Sequence, residues 1–129
     1  MIEHYQLAPR VVMEGVSRGG LFVYNWAVQN LDRVACIYCD TPVCDIRSWP
    51  AKGSGLGSDA AWNQCSKEYG LTDEQSAMFK GTRSIMRPGI AAAKVPILHI
   101  VSENDHVVPP SENTYRLREA HKTSAMTCK

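Results

Sequence analysis

Residues 14–20, Glu-Gly-Val-Ser-Arg-Gly-Gly, constrain the fold most, because they join a short apolar strand pattern to an apolar helical pattern. A Gly-x-Ser-x-Gly core in a strand–turn–helix context is the requirement of a nucleophile elbow, in which the serine occupies a sharp, strained turn. Side chains at Gly15 and Gly19 would collide with the neighbouring strand and helix, so we expect a steric reason for both glycines. The pattern predicts that the turn lifts the Ser17 hydroxyl above the carboxyl edge of a parallel sheet.

Two other interpretations of this stretch need to be weighed. The glycines of a strand-to-helix turn can serve packing alone, and this alternative stays open because the motif fixes only three positions. A dinucleotide-binding loop does not fit, since Gly15, Gly19 and Gly20 are not spaced as Gly-x-Gly-x-x-Gly. If the turn is an elbow, the backbone N–H of Arg18 lies at a helix N-terminus, where it can donate to a developing oxyanion.

Length and charge limit the classes of function. A chain of 129 residues forms at most one domain, and 44% hydrophobic residues suffice for a real core. The net charge is +1 with both signs interspersed, so no electrostatic footprint favours a nucleic acid or an anionic membrane as partner. No apolar run approaches the ~20 residues of a membrane span, and the N-terminus lacks a signal-peptide pattern. We expect the chain as written to stay in the cytoplasm, while export of full-length relatives stays open.

The chain has an odd number of cysteines, at positions 36, 39, 44, 65 and 128. Cys36 and Cys39 have the Cys-x-x-Cys spacing of a zinc site, but they lie in a strand-like run where residues three apart point to opposite faces. No second pair of this kind completes a set of four ligands. We therefore predict buried free thiols, no metal and no cofactor.

Hydrophobic periodicity predicts the order strand, helix, strand, insertion, strand, helix. The predicted strands cover residues 10–15, 34–39 and 95–102, and the outer helices cover 18–30 and 111–122. The insertion, at about 41–94, contains predicted helices at about 60–69 and 73–80, the second with a capping-box start, and is interpreted as a small lid. This order is typical of an α/β fold with about three parallel strands and right-handed crossovers, here as a single domain over residues 1–129.

Three aromatic or imidazole side chains are assigned to the core rather than to chemistry. Phe22 and Trp26 extend the apolar stripe of the first helix, which packs on the sheet. His99 lies in the middle of the third strand and is expected to be a core histidine with satisfied hydrogen bonds. In the insertion, Trp49 and Trp62 either shape a substrate pocket or pack in the core.

A serine hydroxyl reacts at neutral pH only when a base takes its proton and an acid orients that base. In this fold class the chain order is serine, acid, histidine. Asp105 follows the third strand on a turn and is the predicted acid, with Glu103 as a weaker substitute. The alternative is that Asp105 only accepts hydrogen bonds from turn amides.

Several spaced motifs together resemble the carboxyl half of α/β-hydrolase-fold enzymes of the esterase and prolyl-oligopeptidase-like kind. The resemblance covers nearly the whole chain, to about residue 119, and its motifs lie at residues 15–20, 24–27, 34–38, 45–50, 94–99, 105–109 and 112–114. The resemblance implies a partial α/β-hydrolase fold with Ser17 as nucleophile, Asp105 as triad acid and the Arg18 N–H as an oxyanion donor. It also implies a small-molecule carboxylic ester as substrate, with carbohydrate esters among those of some relatives.

The sequence departs from this family pattern at both ends. The strands before the elbow, with the loop that supplies a second oxyanion donor, are missing, and the usual Gly-His segment does not follow the last helix. His121 is the only histidine in that region, and it is either a weak candidate for the base or a solvated helix-end histidine. His4 and His106 have the wrong chain order.

We therefore expect a serine hydrolase whose activity is impaired because the triad histidine and the first oxyanion loop are missing. The alternative is a non-catalytic hydrolase fragment or a strand-pairing module. In that case the exposed edge of the elbow strand would allow a homodimer.

Overall fold

The computed structural model describes residues 4–76, 90 and 93–126. Within these ranges, strands and helices follow one another in the chain order β1 (Val11–Val16), α1 (Gly19–Gln29), β2 (Val34–Asp40), α2 (Asp59–Glu68), β3 (Ile97–Ile100) and α3 (Thr114–Met126). A 3₁₀ turn over Leu31–Arg33 connects α1 to β2. Among the described residues, no helix combines the length and apolar character needed to cross a membrane.

The strands form one parallel sheet in the order β1-β2-β3. Val16 at the end of β1 is paired with Asp40 at the end of β2, and Asp40 is paired with Ile100 at the end of β3. All three strands therefore end at the same edge. This confirms the predicted α/β class and the partial α/β-hydrolase fold, with three parallel strands flanked by helices.

The core lies between the sheet and helices α1 and α3. Tyr24 and Ala27 of α1, Ile37 of β2 and Leu117 of α3 belong to one buried cluster. The predicted placement of Phe22 and Trp26 in this core is wrong, because their side chains are 68% and 39% exposed. At 100° per residue both lie about 200° around the helix from Tyr24, so they point away from the sheet.

The third strand and the last helix differ most from the predicted bounds. β3 covers four residues rather than eight, because the chain after Ile100 turns, and the Asp105 amide donates to the Ser102 carbonyl at 3.1 Å. α3 starts at Thr114 rather than at residue 111, since residues 111–113 form a turn in which the Asn113 amide donates to the Pro110 carbonyl at 3.2 Å. The other strand and helix bounds differ from the predictions by one residue.

The insertion between β2 and β3 contains helix α2, whose N-terminus is capped by the Ser58 hydroxyl accepting from the Ala61 amide. Thr72 and Gln75 form the predicted capping box, each side chain accepting from the other's backbone N–H. Helical structure follows over residues 73–76, and the rest of the predicted helix 73–80 lies outside the described residues.

Candidate active site

Ser17 occupies the strained turn that the elbow motif predicts. Its φ of +51° is in the left-handed region, which non-glycine residues seldom adopt. Three backbone hydrogen bonds hold this conformation: the Ser17 amide donates to the Asp40 carbonyl at 3.0 Å, and the Ser17 carbonyl accepts from Gly20 at 3.1 Å and Val43 at 2.9 Å. The side chain is half-buried at the carboxyl edge of the sheet.

The turn requires glycine at two positions, of which the sequence interpretation found one. A Cβ on Gly15 would lie 2.9 Å from Val23 Cγ2 and 3.0 Å from the Gly19 carbonyl carbon, as predicted. A Cβ on Gly19 would meet nothing within 4 Å, so the predicted collision there is wrong. The second constraint is at Gly20, where a Cβ would lie 2.7 Å from Pro42 Cβ and 2.8 Å from the Val43 carbonyl oxygen.

Arg18 lies at the N-cap of α1, and its own N–H donates no hydrogen bond within the described part of the chain. This orphan donor at a helix N-terminus, next to Ser17, fits the predicted role in binding an oxyanion. The Arg18 guanidinium lies 5.6 Å from the centre of the Trp49 ring, a cation–π arrangement that places a half-buried indole beside the elbow. Trp62, by contrast, is 4% exposed and donates to Ser76 Oγ at 2.7 Å, which favours core packing.

Asp105 is fixed by the turn that follows β3. Its Oδ1 accepts from the amides of Val107 at 2.7 Å and Val108 at 2.9 Å. Oδ2 has no hydrogen-bond partner among the described residues, and the half-buried carboxyl lines an open cleft of about 560 Å³. The cleft is lined by Ser54, Glu103, Asp105, His106, Pro109, Pro110, Ser111 and Tyr115. Asp105 therefore satisfies turn amides with one oxygen, and its role as the triad acid stays a prediction.

The sheet places Ser17 and Asp105 at the same edge. Ser17 directly follows β1 and Asp105 lies on the turn after β3, with β2 between them. Two interstrand spacings separate β1 from β3, roughly 10 Å. A side chain that bridged the two groups would fit this gap, and no described imidazole is hydrogen-bonded to Asp105.

His121 lies in the middle of α3 and is not the solvated helix-end histidine of the alternative interpretation. Its side chain is half-buried, and Nε2 is buried without a hydrogen-bond partner among the described residues. Burial lowers the pKa of His121. Its electrostatic neighbour is His99 of β3 rather than Asp105. Its role as the base stays a prediction.

His99 is the satisfied core histidine that the sequence predicts. Its Nε2 is hydrogen-bonded to the Tyr24 hydroxyl, and its Nδ1 lies 3.0 Å from Thr114 Oγ1. Burial, followed by the proximity of His121, lowers the pKa of His99 to about 4. The imidazole is therefore neutral at pH 7 and links α1, β3 and α3 below the carboxyl edge.

The four described cysteines are free thiols, of which Cys39 and Cys44 are buried and Cys36 and Cys65 are partly buried. Burial raises the pKa of Cys39 to about 11 and also raises that of Cys44, so neither forms a reactive thiolate at neutral pH. Cys128 lies outside the described residues. Within the ranges that the structure describes, no three His, Cys, Asp or Glu side chains are grouped closely enough to hold a metal ion.

A buried polar network beside the elbow was missed by sequence reasoning. Asn113 is 1% exposed and accepts from the amides of Cys44 and Asp45, while its amide group donates to Ser48 and Pro109. Asp45 is 2% exposed and paired with Arg47 and, at 3.5 Å, with Arg116. Residues 45–50 and 112–114 belong to the motifs that carry the family resemblance, but no local pattern shows that they touch.

Comparison with known proteins agrees with this geometry. The family model described as the prolyl oligopeptidase family matches residues 1–126. Among solved structures, a crystal structure of a histidine-to-alanine variant of PytH matches with a TM-score of 0.51 and 18% sequence identity, over 89% of this chain and 58% of that chain. The chain thus spans a little over half of that protein, and at this identity the match shows the fold alone. No curated protein matches the chain. Because the family model covers residues 1–126, the chain belongs to the prolyl oligopeptidase family of serine hydrolases.

Proposed function

We propose that this chain carries the nucleophile and the acid of a serine hydrolase that acts on carboxylic esters through an acyl-enzyme. The observation that supports this most is Ser17, held at φ +51° on the carboxyl edge of the sheet beside the Arg18 N–H, which has no partner among the described residues. Strain of this kind persists where the surrounding structure enforces it, and it clusters at active sites.

In the proposed reaction, Ser17 Oγ attacks the ester carbonyl carbon while a base takes the hydroxyl proton. The Arg18 N–H donates to the oxyanion of the tetrahedral intermediate. The base then returns the proton to the leaving alcohol, and water hydrolyses the acyl-enzyme by the same steps. Asp105 Oδ2 would orient the base and stabilise its cationic form.

The base is the triad member that the geometry supports least. His121 is the candidate, yet it lies beside His99 on the packed face of α3. Triad members act as a unit, so a chain in which no imidazole reaches Asp105 is expected to retain only a small fraction of full activity, lower by about 10⁴-fold or more. We therefore propose an impaired hydrolase.

The cleft beside Asp105 supports a polar substrate. Hydroxyl groups of Ser54, Ser111 and Tyr115 line it together with the carboxyls of Glu103 and Asp105. Such groups form hydrogen bonds with sugar hydroxyls, so we propose small carbohydrate esters as the substrate class to test first.

Labelling with a fluorophosphonate probe, read by intact mass, tests the proposal directly. We expect one adduct on the wild-type chain, none on Ser17→Ala, and an unchanged adduct on the control Ser66→Ala, which removes a hydroxyl on α2 remote from the elbow. Added imidazole should speed the labelling of wild type if the missing base limits it. A folded chain that stays unlabelled with imidazole would contradict the hydrolase proposal.

An unlabelled chain would favour the second candidate, a non-catalytic strand-pairing module. Among the described strands β1 lies at an edge of the sheet, and its Val12 and Val16 side chains are 65% and 56% exposed. They share one face with Leu98 and Ile100 of β3, at 57% and 49% exposed. If this candidate is right, analytical sedimentation shows the wild-type chain as a homodimer and the Val12→Lys variant as a monomer. A monomeric wild-type chain would rule it out.

A further inference from the structure

We propose that Asn113 is a positioning residue, which fixes the turn that carries Asp105 relative to the turn that carries Ser17. The proposal rests on the proposed function, since it gives Asn113 a role in the same reaction. Asn113 acts through other residues, because its side-chain hydrogen bonds among the described residues go to Cys44, Asp45, Ser48 and Pro109 rather than to Ser17 or Asp105.

The side-chain amide of Asn113 is fully used. Oδ1 accepts from the amides of Cys44 at 2.8 Å and Asp45 at 3.3 Å. Nδ2 donates to Ser48 Oγ at 2.8 Å and to the Pro109 carbonyl at 3.0 Å. An asparagine amide has two donor hydrogens and two lone pairs on its oxygen, so all four capacities are satisfied in a site that is 1% exposed. The single side chain thus joins the loop after β2 to the segment after β3.

Two hydrogen bonds and one peptide bond connect the Asn113 side chain to the Asp105 carboxyl. Pro109 is buried, and the preceding residue, Val108, is 6% exposed and donates its amide to Asp105 Oδ1 at 2.9 Å. Because Asn113 holds the Pro109 carbonyl, it sets where this turn can lie. The Asp105 carboxyl is fixed in turn by the amides of Val107 and Val108.

The same network leads to the nucleophile on the other side. Cys44, whose amide donates to Asn113, follows Val43, and the Val43 amide donates to the Ser17 carbonyl at 2.9 Å. Pro42 and Val43 also lie against Gly20, where no Cβ would fit. Movement of this loop would therefore disturb the strained backbone of Ser17. One buried side chain consequently couples the two turns whose spacing a base must bridge.

The chemistry of the site favours asparagine over its closest replacements. Alanine would leave the buried amides of Cys44 and Asp45 without acceptors. Aspartate would keep the acceptor but lose the donor to Pro109, and it would place a second carboxyl beside the 2%-exposed Asp45. The site needs both a hydrogen-bond donor and an acceptor, and a side-chain amide provides both.

The test compares Asn113→Ala with Leu117→Ala on the whole chain. Leu117 lies in the first turn of α3 and is 4% exposed, so its truncation destabilises the fold without removing a hydrogen bond of the Asn113 side chain. Both variants are measured at a temperature where circular dichroism shows them folded. The two readouts are the rate of fluorophosphonate labelling and the hydrogen exchange of the Val43, Val107 and Val108 amides.

We expect Asn113→Ala to label at least tenfold more slowly than Leu117→Ala and to lose protection selectively at those three amides. Equal effects of the two variants on both readouts would overturn the proposal, because Asn113 would then act on global stability alone. If wild type is not labelled, the proposed function fails, and hydrogen exchange still decides the positioning role. If Asn113→Ala does not fold, Ser48→Ala, which removes one of the four bonds, takes its place with the same expected pattern.

Discussion

Ser17 and Asp105 both follow a strand of the same parallel sheet, yet different interactions fix them. The Ser17 turn is held by steric and backbone constraints: a left-handed φ, two glycines that pack on their surroundings, and backbone hydrogen bonds to Asp40 and Val43. The Asp105 turn is held by side chains. Its own carboxyl accepts two amides, and Asn113 binds it to a loop more than 60 residues earlier in the chain.

This difference shows which kind of interaction fixes the geometry of each turn. A turn that is enforced by steric constraints tolerates few residue types at its centre, so its sequence predicts the turn. A turn held by a buried amide can have an ordinary sequence, because the constraint lies in a distant residue. Variants that fill space should therefore break the first turn, and variants that remove polar groups should break the second.

The largest effect is expected at Gly20. Gly20→Ala would place a Cβ 2.8 Å from the Val43 carbonyl oxygen and 2.7 Å from Pro42 Cβ, and backbone must move to accommodate it. We expect a loss of about 1–3 kcal/mol in the free energy of unfolding. Urea unfolding followed by circular dichroism measures it.

Gly19→Ala is the matched control one residue earlier in the same helix. A Cβ there meets nothing within 4 Å, and alanine favours a helix over glycine by about 1 kcal/mol, so this variant should be neutral or stabilising. Equal destabilisation by both substitutions would show that packing on the loop after β2 does not define the elbow.

This contrast also explains how much could be predicted from the sequence. Strand and helix patterns, the elbow and the position of Asp105 after β3 are local features, and the structure agrees with them. The role of Gly20 depends on Pro42 and Val43, which pack on it from the next loop, and the burial of Asn113 depends on residues 44–48. The predicted core placement of Phe22 and Trp26 is wrong because apolar character alone does not tell which side of α1 faces the sheet.

We expect acidic pH to destabilise the fold through β3 rather than through the Ser17 turn, because His99 lies on β3, the strand that leads to the Asp105 turn. The pKa of His99 is lowered from 6.5 to about 4 in the folded chain, so below pH 6.5 the unfolded chain binds more protons than the folded one. Stability is therefore fully present above pH 6.5 and is lost as the pH falls toward 4. Because the imidazole is partly exposed, solvent screening limits the loss to about 1–2 kcal/mol.

Urea midpoints at pH 7.5 and pH 5 measure this loss, with His99→Gln as the comparison. A glutamine side chain cannot titrate, so the midpoint of the variant should change less between the two pH values, even though its absolute stability is lower. The half-buried His121, whose pKa is also lowered, contributes in the same direction and should leave a residual slope. An unchanged pH dependence in His99→Gln would assign the effect to other groups.

The smallest effect on stability is expected for Asp105→Asn, which together with Asp105→Ala separates the two uses of Asp105. Asp105→Ala removes the acceptor of two turn amides, and each lost hydrogen bond costs about 0.5–1.5 kcal/mol, whereas Asp105→Asn keeps a carbonyl oxygen at the same place. We expect Asn to preserve most of the unfolding free energy that Ala loses. Neither variant has the charge that would stabilise a protonated base, so both should slow fluorophosphonate labelling alike when imidazole is added as the base. If Asp105→Asn labels at the wild-type rate under these conditions, the carboxyl only caps its turn, and the triad would have to be sought around Glu103.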